Sequence, residues 1–234
     1  NLYRKMLSMF DHIFVQTQAS KQLIDGLDLS LNCSVAGDTR YDRVIEIAET
    51  AKRVTEIEKF VVGNKCIVAG STWPEDELVI QKAFSEINYP SVKLIIAPHE
   101  IDQKHFLSLK ELFPDSILFS DLQQKNELMP ESQVLIIDNV GMLSSIYKYA
   151  TITYVGGGLK SGGVHNVLEA AVYGKPVLFG PNYKKYNEAI ELVRSGGGLP
   201  FTDEKRNGIM LKEIINALLI NEEEYNYRCE AAEK

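Results

Sequence analysis

Residues 152–181 read ITYVGGGLKSGGVHNVLEAAVYGKPVLFGP. Ile152 to Val155 is an apolar run of strand length, rich in β-branched and aromatic side chains, and it stops at Gly156, Gly157 and Gly158. A second glycine pair, Gly162 and Gly163, precedes a helical pattern from Asn166 to Tyr173. Gly174-Lys175-Pro176 then turns the chain into another apolar run, Pro176 to Phe179. Two buried strands joined through a helix need a parallel sheet, because the crossover lays its helix on one face.

The same alternation extends to both sides of this unit. Upstream it predicts strand Lys65 to Ala69, helix Glu75 to Ile87, strand Lys93 to Ala97, helix Gln103 to Leu112, strands Ile117 to Phe119 and Val134 to Ile137, and helix Met142 to Tyr149. Downstream it predicts helix Tyr186 to Ser195 and a last helical stretch from Leu211 to Glu233. The fold class is therefore α/β, a Rossmann-like doubly wound parallel sheet, and ligands in such folds sit outside the carboxyl ends of the strands. The loops after Ala69, Ala97, Ile137 and Val155 are where chemistry belongs. Before Lys65 the pattern gives a strand from His12 to Gln16, a short helix capped by Ser20, a strand-like Ser34 to Ala36 leading into Gly37-Asp38-Thr39-Arg40, and one charged helix from Val44 to Phe60. Residues 1–42 read as the end of a preceding unit and 43–234 as the main domain. The chain starts at Asn1 without an initiator methionine, in a sequence resembling a helix interior, so it is expected to be a piece of a longer protein.

Composition narrows the function classes. With 234 residues, 45% hydrophobic and 24% charged, the chain can bury a full core and does not read as disordered. A net charge of −7 provides no cationic field for a nucleic-acid backbone, so no nucleic-acid partner is expected. Cys33, Cys66 and Cys229 are odd in number and lack CxxC or histidine-ligand spacing, which argues against a disulfide framework or a structural zinc and fits a reducing cytoplasm. No apolar run approaches the roughly 18 residues of a membrane span, and the chain as given reads as soluble.

Glycine lets a backbone bring its N–H groups close to an anion, and here the glycines stand just ahead of a helix. Asn166 is a good N-cap, and Glu169, three residues on from Asn166 and four from His165, projects from nearly the same face, where its carboxylate can accept hydrogen bonds from ribose hydroxyls. The purely structural alternative is a tight glycine turn with Asn166 as cap and Glu169 as an acid near the positive helix end. Ser71 and Thr72 can donate to a phosphate or a sugar carboxylate, or simply cap the helix that starts near Pro74. His99, after the strand ending at Ala97, can donate to a phosphate. Asp138 is placed to orient the loop Asn139 to Gly141, and Lys184 with Lys185 reads as a solvated pair. His12 and His105 have no convergent partners in the sequence and read as structural or surface residues. No DxD motif or carboxylate pair is available to hold Mg²⁺, so neither a metal nor a cofactor is expected.

Gly163-Val164-His165-Asn166-Val167-Leu168-Glu169-Ala170-Ala171 resembles the GGHNxLEAA segment of the transferases of 3-deoxy-D-manno-octulosonic acid (Kdo). Gly70-Ser71-Thr72 with Glu75, Asp76 and Glu77 is similar to that family's GST segment and its acidic continuation. Asp138 to Leu143 occupies the place of its D-T-M-G-E-L loop, and Gly37 to Asp42 looks like the end of its first domain. The resemblance implies a GT-B glycosyltransferase whose carboxyl-terminal half binds CMP-Kdo. It implies nucleotide contacts from Pro98 and His99, from Val140, Gly141 and Met142, and from Asn166, Val167, Leu168 and Glu169, with Ser71, Thr72 and His165 near the sugar or phosphate. His99 stands where an arginine is common, Met142 where an acid is, Val164 at a glycine and Trp73 where histidine is frequent.

For the parent enzyme the resemblance implies metal-independent transfer of Kdo to a lipid A precursor, lipid IVA, in lipopolysaccharide biosynthesis at the cytoplasmic face of the inner membrane. Acceptor, membrane contact and general base belong by that pattern to the amino-terminal half. This chain is then expected to contain no catalytic residue and to be inactive alone. Two alternatives stay open: another GT-B enzyme using a UDP-sugar, and a non-catalytic module that binds a nucleotide sugar.

Overall fold

The computed structural model describes residues 2–29, 31–124, 131–201 and 207–233. It divides into two compact units, Asn1–Arg43 and Val44–Lys234. The first contains helix α1 (Leu2–Leu7), strand β1 (His12–Val15), helix α2 (Gln18–Asp25) and strand β2 (Asn32–Val35), with β1 and β2 paired in parallel. Thr17, not Ser20, caps α2: its hydroxyl accepts the Ser20 amide at 3.1 Å from an extended backbone.

Helix α3 (Thr39–Thr50) is followed by α4 (Thr55–Val61), so the single helix expected from Val44 to Phe60 is broken. Competing hydrogen bonds account for the break. Lys148 Nζ donates to the carbonyls of Ala51 and Lys52 at 3.2 and 2.6 Å, and the Val54 amide donates to the Tyr149 hydroxyl at 2.7 Å.

The second unit is built on β3 (Lys65–Thr72), α5 (Pro74–Phe84), β4 (Val92–Pro98), α6 (Gln103–Leu112), β5 (Ile117–Leu118), α7 (Phe119–Gln124), β6 (Val134–Ile136) and α8 (Leu143–Ile146), the last running into a 3-10 turn at Tyr147–Tyr149. It continues with β7 (Ile152–Val155), α9 (Leu168–Ala171), β8 (Val177–Phe179), α10 (Asn187–Ser195), β9 (Gly198–Pro200), α11 (Asn207–Ile220) and α12 (Glu222–Ala232). Seven strands pair in parallel in the order β5-β6-β4-β3-β7-β8-β9. Alternate side chains of each strand face opposite ways. Cys66, Val68, Ile95 and Ala97 therefore pack with Phe60, Ala170 and Leu192 on one face, while Ile67, Ala69, Leu94 and Ile96 pack with Ile80, Leu109 and Ile215 on the other.

The remaining departures from expectation are local. Phe119 opens α7 instead of closing a strand, because Asp138 Oδ1 takes the Ser120 amide at 2.9 Å. The last helical stretch is two helices, with Asn221 capping the second by accepting the Glu224 amide at 3.0 Å. Strand β9 carries a glycine and a proline in three residues, which conceals it from any pattern of apolar alternation. Among the described residues no helix is long and apolar enough to cross a membrane.

Candidate functional site

The sheet places β4, β6 and β5 on one side of β3 and β7, β8 and β9 on the other, so the strand order reverses between β3 and β7. The carboxyl ends there form the crevice in which such sheets bind ligands. The strand ends are level: Gly70 lies opposite Ala97 on β4 and Val155 on β7, and the Gly156 amide donates to the Gly70 carbonyl at 2.9 Å. The two loops that follow touch through their backbones. A β-carbon on Gly156 would fall 2.2 Å from the Ser71 carbonyl oxygen, and Ser71 itself adopts φ 52°, a left-handed conformation that a side chain rarely takes.

Asp76 fastens these loops together. Fully buried in the first turn of α5, it accepts the Trp73 amide at 3.0 Å and the Gly157 amide at 2.9 Å on Oδ2, and the Tyr154 hydroxyl at 2.7 Å on Oδ1. Burial pushes its carboxyl above the ordinary range, against the pull of those three donors.

Above this anchor lies a cluster of rings. His99 stacks on His165 with centroids 4.3 Å apart and lies tilted against Trp73 at 4.6 Å. The Trp73 indole N–H donates to His165 Nε2 at 2.8 Å, and Lys160 Nζ sits 3.3 Å from the Trp73 ring centroid. Burial lowers the His165 pKa, with the neighbouring His99 and Lys160 adding to the effect. The loops after β3, β4 and β7 thus meet in one group of side chains.

No protein-family model matches the chain. A 3-deoxy-D-manno-octulosonic acid transferase of Aquifex aeolicus is 32% identical over 155 residues, 64% of this chain and 42% of that protein. One from Chlamydia trachomatis is 32% identical over 165 residues, 68% of this chain and 36% of that protein. Over these stretches the chain is similar to Kdo transferases. It spans less than half the length of these relatives, 42% and 36%. Its fold is that of the solved C-terminal CMP-Kdo binding domain of WaaA from Acinetobacter baumannii, with a TM-score of 0.64 at 19% identity over 82% of this chain and 96% of that one. The architecture is accordingly the GT-B kind expected from the sequence.

On this framework the residues singled out in the sequence fall into distinct environments. Pro98 is buried and ends β4, whereas His99 is exposed and its amide donates to the Thr72 carbonyl at 2.9 Å. Thr72 does not face a ligand: it has no exposed surface and its hydroxyl donates to Glu77 Oε1 at 2.9 Å. Ser71, half-buried beside Gly156, is the member of that pair left open to solvent.

In the loop after β6, Asp138 holds Ser120 through both its amide and its hydroxyl, Val140 is 85% exposed, and Gly141 turns the chain at φ 87°. Met142 packs against the core and its sulfur accepts the Asn139 side-chain N–H at 2.8 Å.

The helix expected from Asn166 to Tyr173 is only α9, Leu168–Ala171, and Val167 occupies its cap position. So short a helix sums few peptide dipoles, which removes most of the dipole argument. Asn166 still serves the turn, accepting the Leu168 amide at 3.2 Å and donating to Glu169 Oε1 at 3.0 Å. Val167 and Leu168 bury their side chains, so only backbone groups of these two can meet a ligand. Among the described residues the amides of Asn166 and Val167 have no protein acceptor. Glu169 is half-buried beside Asn166 and does not point into the apolar interior.

Three participants escaped the sequence reading: Asp76 as a loop anchor, Lys160 over the indole, and Trp73 as a hydrogen-bond donor to His165. Only the position of Asp76 and Trp73 directly after the Gly-Ser-Thr segment hinted at the first and last.

Proposed function

We propose that this chain is the donor-binding half of an enzyme that moves Kdo from CMP-Kdo to a lipid A precursor such as lipid IVA in lipopolysaccharide biosynthesis. The stretch before Val44 would belong to the amino-terminal domain, which would supply the acceptor site, the general base and the contact with the cytoplasmic face of the inner membrane. One observation carries the reading: His99 and His165, from loops after different strands, stack at 4.3 Å beside the unpaired amides of Asn166 and Val167.

In the transfer the acceptor hydroxyl oxygen bonds to the anomeric carbon of Kdo, the bond from that carbon to the phosphate oxygen breaks, and CMP departs with the bonding pair. The acceptor proton passes to the base in the other half. Charge therefore develops on the single phosphate of CMP. Amide N–H groups fixed in advance at Asn166 and Val167, with the His165 ring and the Lys160 ammonium nearby, stabilise it without reorganising. Glu169, held by Asn166, accepts from the ribose hydroxyls, and the backbone of Val140, Gly141 and Met142 reads the base.

Calorimetric titration of this chain with CMP, UMP and UDP tests the proposal. CMP should bind most tightly, and Glu169→Ala and Asn166→Ala should each weaken it about tenfold, the loss of one charge-assisted or well-oriented hydrogen bond. Equal heats from all three nucleotides would refute the assignment and favour a UDP-sugar enzyme.

A further inference from the structure

We infer that Trp73 is a positioning residue that sets the tautomer of His165 and so makes its Nδ1–H the donor offered to the phosphate or carboxylate of the nucleotide sugar. The role toward ligand rests on the proposed donor-binding function; the tautomer does not.

An indole nitrogen can only donate, and a neutral imidazole has one donor and one acceptor nitrogen. With Trp73 Nε1–H directed at His165 Nε2 over 2.8 Å, Nε2 must be the acceptor and the ring proton must sit on Nδ1. Protonation to imidazolium would set N–H against N–H, and burial together with His99 and Lys160 already holds the His165 pKa down. The ring is therefore a neutral donor through Nδ1, the tautomer that a free histidine side chain populates less.

The surroundings keep both rings in register. The His165 amide donates to the Gly156 carbonyl at 3.0 Å, and the Trp73 amide is held by Asp76 at 3.0 Å, so backbone on each side is fixed. His99 stacks on His165 and lies tilted against Trp73, which leaves the indole N–H directed at the imidazole edge. Gly157 is required for the approach, because a β-carbon there would lie 2.8 Å from His165 Cδ2.

The test uses the chain's four histidines, few enough to assign by substitution, and its single tryptophan. Two-bond ¹H–¹⁵N correlation spectra of the ligand-free protein at neutral pH should show His165 as the neutral Nδ1–H form. Trp73→Phe keeps a ring in the stack but removes the donor. It should move His165 toward the Nε2–H form, and CMP affinity should fall about five- to tenfold, the loss expected when one hydrogen bond is misdirected. A wild-type His165 found as Nε2–H or as imidazolium overturns the inference without any variant, so a Trp73→Phe chain that failed to fold would not shield it. An unchanged tautomer in Trp73→Phe, or a changed tautomer with undiminished CMP affinity, overturns it as well. If wild-type protein failed to bind CMP while His165 remained Nδ1–H, the donor-binding function would fall and the tautomer assignment would stand.

Discussion

His105 Nε2 lies 2.9 Å from Glu77 Oε2, and both side chains are almost closed to solvent. His105 Nδ1 meets the Glu100 carbonyl at 3.0 Å, so both ring nitrogens face acceptors and both are best served by carrying protons. Through Glu77 the pair reaches the Thr72 hydroxyl at the end of β3, which ties α6 to the loop that opens the site. Burial works against the charged imidazole, but Glu77 together with the Glu100 carbonyl and Asp102 outweighs it and the His105 pKa is raised. A raised folded-state pKa means that the stabilisation is complete below the ordinary histidine value of 6.5 and is lost as pH climbs through the folded value. His105→Gln should cost about 3 kcal/mol near pH 6, the usual scale for orphaning one member of a buried pair. Urea midpoints measured from pH 6 to 9 should fall more steeply with pH in the wild type than in the variant; parallel curves would show that the pair carries no pH-linked stability.

Asp76 accepts from two amides and one phenol, at 2.9, 3.0 and 2.7 Å. Asparagine has one acceptor oxygen and would turn an N–H₂ group toward the Gly157 and Trp73 amides or toward the Tyr154 hydroxyl. Asp76→Asn should therefore destabilise the fold by about 2–4 kcal/mol, on the scale of a broken buried network. It should also loosen Trp73, seen as a red shift of the emission of the single tryptophan before any global unfolding. A variant with wild-type emission and stability would remove Asp76 from its place as anchor.

The parallel sheet was legible because its strands are continuous apolar runs. Lys65, Val92 and Ile152 all begin strands within a residue of where the pattern put them. The sequence pattern failed where long-range polar contacts overrule local preference. Lys148 and Tyr149 capture the backbone at residues 51–54 from almost a hundred positions away, and no window over Val44 to Phe60 contains that information. The site was legible as loops, since glycines, His99 and the His165–Glu169 segment advertise themselves, but not as a network. Trp73 meets His165 across 92 positions only because β3 and β7 lie side by side, and Thr72 turns inward to Glu77 because α5 starts directly after β3.

Lys160 Nζ stands 3.3 Å from the Trp73 ring centroid, close enough for a cation–π contact that also keeps a positive charge beside His165. Lys160→Met should weaken CMP binding about threefold in dilute buffer and less at high salt, because mobile ions screen a charge that is only half-buried. An affinity loss of the same size at both ionic strengths would mean that Lys160 acts by packing on the indole instead.

The glycine loop offers a separation of two roles that glycine can play. Gly157 has φ 87°, and a β-carbon there would fall 2.6 Å from the Gly163 carbonyl and 2.8 Å from His165 Cδ2. Around Gly162 an added β-carbon meets nothing within 4 Å. Gly157→Ala should thus cost about 3 kcal/mol, from backbone strain and a clash that cannot relax without moving His165, and CMP binding should go with it. Gly162→Ala should stay within about 0.5 kcal/mol of wild type, as an unstrained surface change does. Its CMP affinity decides what the second glycine pair is for: unchanged binding would leave Gly162 as an ordinary turn residue, whereas lost binding on an intact fold would show that the donor phosphate approaches the backbone there too closely for a methyl group.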